Sequence, residues 1–140
     1  MPENVELIAD GVVELVNGIE TDWKFEAYKP EKAQLEVEDP GIVVQVIPVA
    51  GGARQKVGRR AIRRIHSVNL YVTAQLDSSR SREAMVKLVD ELLSGIELTP
   101  IRGCTWSEIE EISLYDRDAH KKANRFASLH RSNYVEEYTK

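Results

Sequence analysis

The sequence predicts an α+β fold: a mixed or antiparallel sheet of about four to five strands, two helices packed on one face, and a long protruding β-hairpin. Three observations predict it. Segments 4–19 and about 80–94 carry apolar residues at helical spacing. Segments 42–49 and 67–76 are β-branched or alternating, as strands are. Between those two strands lies a run of arginine, lysine and glycine. At 140 residues, 42% hydrophobic and 30% charged, the chain reads as a single globular domain spanning 1–140.

The first helix is carried by Val5, Ile8, Val12, Leu15, Val16 and Ile19. Asn4 suits its N-cap, Glu6 suits the positive end of the helix dipole, and Gly18 supplies a stop. Gly11 weakens its middle by about 1 kcal/mol relative to Ala. Residues 23–28 alternate and are aromatic-rich, which favours a strand ended by Pro30. Segment 31–40 is acidic and closes on the turn signal Asp39-Pro40-Gly41; within it, 31–38 fits a short helix or a strand.

Residues 42–49 form a valine-rich buried strand with Pro48 near its end. In 67–76, Val68, Leu70, Val72, Ala74 and Leu76 point one way, and Asn69, Tyr71, Thr73 and Gln75 the other. Asp77-Ser78-Ser79 offers N-cap side chains for the second helix. Ala84, Met85, Leu88, Val89 and Leu92 form its stripe, and Gly95 fits a C-cap. The second half of 104–115 is expected as a strand reaching Tyr115, residues 116–122 as a charged turn, and 124–135 as the last strand.

Charge is unevenly placed. Arg54, Lys56, Arg59, Arg60, Arg63 and Arg64 give residues 51–66 a charge of +6 with no acid, which leaves −10 on the rest of a chain whose net charge is −4. Ordinary hairpin loops have 2–5 residues, whereas this connection spans about sixteen. These six cations are the candidate interface or anion-facing residues. Three readings compete for them: a protein–protein contact, a nucleic-acid contact, and a solvated loop that guards a sheet edge. Residues 51–65 are expected to be mobile in a free monomer and to order against a partner.

Little in the sequence points to chemistry. Cys104 is the only cysteine, so no internal disulfide forms and a reducing compartment suits the chain. A buried thiol is the plain reading, since a nucleophile needs a basic partner that the sequence does not place. Asp116-x-Asp118-x-His120 has oxygen and imidazole donors, but it lacks the glycine and distal glutamate of a calcium loop and reads as a turn. His66 and His130 stand apart from any site, and Glu108, Glu110, Glu111 and Asp116 are not fixed across a pocket. Phosphate-loop, dinucleotide, nucleophile-elbow and zinc-helix motifs are absent. No catalytic residue, cofactor or metal site is assigned, and no membrane span or signal peptide is expected.

The order of these pieces resembles a family. An amphipathic helix leads to Ala27-Tyr28-Lys29-Pro30, an acidic segment, a valine-rich strand ending Ile47-Pro48, a basic tip, a long alternating strand, a helix, then Tyr115-Asp116 and Arg125-Phe126-Ala127-Ser128. Over nearly the whole chain this is similar to the small tail-terminator and tail-completion (neck) proteins of long-tailed bacteriophages. The likeness is one of element order and loose patterns, and the tip is richer in arginine than such a pattern requires. The resemblance implies helices on one side of a sheet and a homo-oligomeric ring, commonly of six subunits. It implies a ring that caps the tail tube, meets the head connector and passes DNA through its lumen, in a virion assembled in the host cytoplasm. It implies no enzyme activity and no cofactor. The alternative function is a small nucleic-acid-binding module that uses the basic hairpin as a β-ribbon.

Overall fold

A computed structural model of the chain describes residues 4–30, 41–50, 52, 54–113 and 125–139. Helix α1 (Val5–Asn17) opens where Asn4 Oδ1 accepts from the Glu6 amide at 2.7 Å. It buries Ile8, Ala9, Val12 and Val16, each worth about 1.5–3 kcal/mol for the larger side chains. Helix α2 (Arg82–Ile96) buries Met85, Leu88, Val89, Leu92 and Ile96.

Two expected helix boundaries move. The N-cap of α2 is Ser81, whose Oγ accepts from the Ala84 amide at 3.2 Å. Asp77 instead builds the preceding turn, accepting from the amides of Ser79 and Arg80 at 2.9 and 2.8 Å. Gly95 is a helix residue and not a cap: a Cβ there would lie 2.5 Å from Ile19 Cδ1, so the glycine lets the end of the α1 segment pack closely.

The strands are β1 (Ala27–Tyr28), β2 (Ile42–Val49), β3 (Arg54–Lys56), β4 (Ala61–Gln75), β5 (Thr105–Ser113) and β6 (Arg125–Thr139). They form one six-stranded mixed sheet in the order β1-β2-β4-β6-β5, with β3 also on β4. Among the described strand pairs, β1–β2 is parallel and the others are antiparallel. Both helices lie over one face, α1 against β2 and β4, and α2 against α1 and β6. Ile42, Val44 and Val46, then Val68, Leu70, Val72 and Ala74, and Phe126 and Tyr134 join them in one apolar cluster. No helix among the described residues is long and apolar enough to cross a membrane.

The expected strand at 23–28 shrinks to Ala27–Tyr28. Trp23 and Phe25 pack onto the core instead of joining the ladder. Asn17 fixes this short strand from the helix: its Nδ2 donates to the Ala27 carbonyl at 3.1 Å, and its Oδ1 accepts from the Ala27 amide at 2.7 Å. Lys29 anchors the far end on Glu6 and Asp10, both at 2.9 Å. Those two hydrogen bonds raise its pKa against the opposing effect of burial.

Strands β4 and β6 are longer than the expected 67–76 and 124–135. They pair along fifteen residues each, from Ala61 opposite Thr139 to Gln75 opposite Arg125. Strand β5 starts at Thr105, earlier than expected, and two register shifts, at Trp106/Glu108 and Glu111/Ser113, hide its period of two. Tyr115, the turn at 116–122 with Asp116-x-Asp118-x-His120, and segment 31–38 lie outside the described residues.

Candidate functional site

The basic segment is a strand ladder and not a loop of about sixteen residues. The β2–β4 ladder ends with Val49 opposite Ser67, and the β3–β4 ladder begins with Arg54 opposite Arg64. Gly52 lies between the two ladders. Its α-carbon lies against the β4 backbone so closely that a Cβ would come within 2.0 Å of the Ile65 carbonyl oxygen. Pairing then resumes through Gln55 opposite Arg63 and Lys56 opposite Ile62. The Val57 amide donates to the Ala61 carbonyl at 3.0 Å and closes a loop of Gly58, Arg59 and Arg60.

The outcome is a three-stranded arm made of β3, the first part of β4 and the last part of β6. Five residue pairs, from Ala61–Thr139 to Ile65–Val135, project beyond the buried Tyr134. At roughly 3.3 Å per residue this is about 17 Å of ribbon. Beyond Thr105, no described strand lies on the outer side of β6, so residues 136–139 pair with β4 alone.

The six predicted residues divide by environment. Arg54, Lys56, Arg59 and Arg60 are exposed, the first two on β3 and the others in the loop. Arg63 and Arg64 are half-buried on β4, opposite Glu137 and Glu136. Arg63 donates to Glu137 Oε1 from Nε at 3.1 Å and from Nη2 at 2.8 Å. The segment carries no acid of its own, but β6 brings two glutamates against it. The outward charge is therefore concentrated in four cations at the end of the arm.

On the face away from the helices, cross-strand polar pairs stiffen the root of the arm. Ser67 donates to Asn133 Oδ1 at 2.7 Å, and Arg131 Nε donates to Asn69 Oδ1 at 3.0 Å. Asn133 Nδ2 donates to Glu110 at 3.0 Å and to Glu108 at 3.5 Å, which ties the acidic strand β5 to β6. Beneath the arm a groove is lined by Gln55, Arg63, Ile65, Thr105, Val135 and Glu137. Glu108, Glu110 and Glu111 give the outer strand an exposed acidic edge. Basic arm and acidic edge thus stand on separate parts of one sheet.

His66 is not isolated. It is 1% exposed, and its Nε2 lies 3.1 Å from Glu136 Oε1. Ligand atoms of His66, Cys104 and Glu136 all fall within 4.8 Å of one another, and these are the described residues grouped so as to hold a metal ion. No local motif reveals that group, because its members come from three separate elements. His130 is buried beside Ser128, with Nδ1 and Oγ 3.2 Å apart. Burial lowers its pKa, opposed by the charges of Glu111 and Asp90.

No protein-family model and no curated protein matches this chain.

Proposed function

We propose that this chain is a structural protein of a tailed bacteriophage virion, a tail-terminator or neck subunit. Copies assemble in the host cytoplasm as a ring, commonly of six, that caps the tail tube and joins it to the head connector. The observation that carries the reading is the separation of charge on one sheet. Four exposed cations end a projecting arm, while Glu108, Glu110 and Glu111 line the outer strand β5.

A ring built head to tail needs two different surfaces that fit each other. An arm of one copy placed on the acidic edge of the next supplies opposite charge, which sets partner and register more than raw affinity. The outer side of β6 at 137–139 and the short β3 add backbone donors and acceptors for strand pairing between copies. The order of the elements and the segments Ile47-Pro48 and Arg125-Phe126-Ala127-Ser128 supply the likeness to neck proteins.

Binding to polymerised tail tubes tests the role. The full chain should cosediment with tubes at a stoichiometry set by tube ends, not by tube length, and stop their growth. It should retain duplex DNA only weakly and without base preference. Failure to bind tubes, together with tight duplex binding that weakens steeply with salt, would replace this reading with that of a nucleic-acid-binding β-ribbon.

A further inference from the structure

We infer that His66, Cys104 and Glu136 form a site for one borderline-soft divalent cation of the zinc type, at the root of the arm. The site does not depend on the role proposed above.

The donors are an imidazole, a thiol and a carboxylate, the set that zinc accepts. Two are almost wholly buried, His66 and Cys104 at 1% each, while the Glu136 side chain keeps 12% exposure. Metal–ligand lengths of about 2.0–2.3 Å in a tetrahedron put ligand atoms roughly 3.3–3.6 Å apart. His66 Nε2 and Glu136 Oε1 already lie at 3.1 Å, and no pair of ligand atoms in the group exceeds 4.8 Å. Closing around an ion therefore needs side-chain shifts of about 1 Å and no change of fold.

The backbone holds these donors firmly. His66 and Glu136 project from the fully paired ladder of β4 and β6. Cys104 follows a two-residue turn in which Arg102 and Gly103 have φ values of 50° and 81°. That turn is closed from both sides: the Ile101 amide donates to the Cys104 carbonyl at 3.1 Å, and the Cys104 amide to the Ile101 carbonyl at 2.8 Å. Ile101 in turn is seated on α1 at Gly11, where a Cβ would lie 2.4 Å from its Cγ2. Helix α1 thus accepts its mid-helix glycine, and the turn that carries the thiol is locked onto it.

Charge balance favours a cation. On binding, Cys104 releases its proton to water, and thiolate and carboxylate together offset a divalent ion. Arg64 stands opposite Glu136 in the ladder. The fourth position falls to water or to the second oxygen of Glu136. The same three residues as a nucleophilic triad would need a substrate to reach a thiol that is 1% exposed, and burial opposes that.

The test is a Co2+ titration of the chelator-treated full chain, followed by Zn2+ competition and thermal melting. The chain has one cysteine, so a thiolate-to-cobalt charge-transfer band identifies Cys104 without any variant. The band should saturate at one ion per chain, Zn2+ should abolish it, and Zn2+ should raise the melting temperature. Cys104→Ser should lose the band. His66→Gln should weaken Co2+ binding by more than the roughly 10–100-fold that loss of an outer partner costs. Absence of the band from the wild-type chain in excess Co2+, with a melting temperature unmoved by Zn2+, would overturn the site.

Discussion

Arg63 and Glu137 face each other across β4 and β6, and two guanidinium nitrogens converge on a single carboxylate oxygen, at 2.8 and 3.1 Å. Both side chains keep solvent contact, at 41% and 56% exposure, so the pair itself adds at most about 1 kcal/mol to stability. Its larger consequence is for the field of the arm. Glu137 removes one positive charge from the face toward the groove and leaves Arg54, Lys56, Arg59 and Arg60 to set the field at the tip. Glu137→Gln should raise the arm's charge by one and make binding to any anionic partner more salt-sensitive, with the melting temperature nearly unchanged. Parallel salt titrations of binding check this.

Replacing Arg54, Lys56, Arg59 and Arg60 together by alanine should leave the fold intact, because exposed substitutions usually fall within about 0.5 kcal/mol each. The same change should abolish self-association and tube binding. Circular dichroism and sedimentation velocity separate the two effects.

Gly52→Ala should destabilise the chain by about 1–3 kcal/mol, as forced overpacking does. The added methyl would have to displace the β4 backbone at Ile65. Urea unfolding measures the loss, and hydrogen exchange should place it in the arm and not in α1 or α2.

Asn17→Ala should cost about 1–3 kcal/mol, because it leaves both the amide and the carbonyl of Ala27 without their side-chain partner. A fall in the urea midpoint at an unchanged slope would locate the effect in stability alone.

Burial lowers the pKa of His130 below its ordinary 6.5 in the folded state. As pH falls through about 6.5, the unfolded chain takes up that proton before the folded chain does, so stability declines. The decline ends once the pH is below the folded-state value. His130→Gln should flatten this part of the stability–pH curve. Asp77 acts further down: three hydrogen bonds from Ser79 and Arg80 hold its pKa at about 2, and the stability it contributes is lost as pH falls from about 3.8 through that value. Urea midpoints measured across pH separate the two limbs.

Much of the layered core was legible, since Val68, Leu70, Val72 and Ala74 repeat every second residue and the helix stripes repeat at helical spacing. The arm was legible as a charged, protruding hairpin, but the extent of its strand pairing was not. Arginine and lysine mark no alternation, and no local pattern announces the pairing of Arg54 with Arg64 or the close approach of Gly52 to β4. Register shifts in β5 masked its strand period. Glu137, the partner of Arg63, and Glu136, the partner of His66, lie 74 and 70 residues away in sequence and come alongside through the β4–β6 ladder. His66, Cys104 and Glu136 converge for the same reason, across three elements that carry no shared motif.

We propose that the chain closes into a ring through its arm. Native mass spectrometry of the full-length chain, at concentrations spanning the assembly range, tests it most directly. One dominant closed oligomer, commonly six copies, is expected, and it should collapse to monomer when Arg54, Lys56, Arg59 and Arg60 are replaced by alanine. A wild-type chain that stays monomeric at every concentration, or a ring that survives the fourfold substitution, would contradict it.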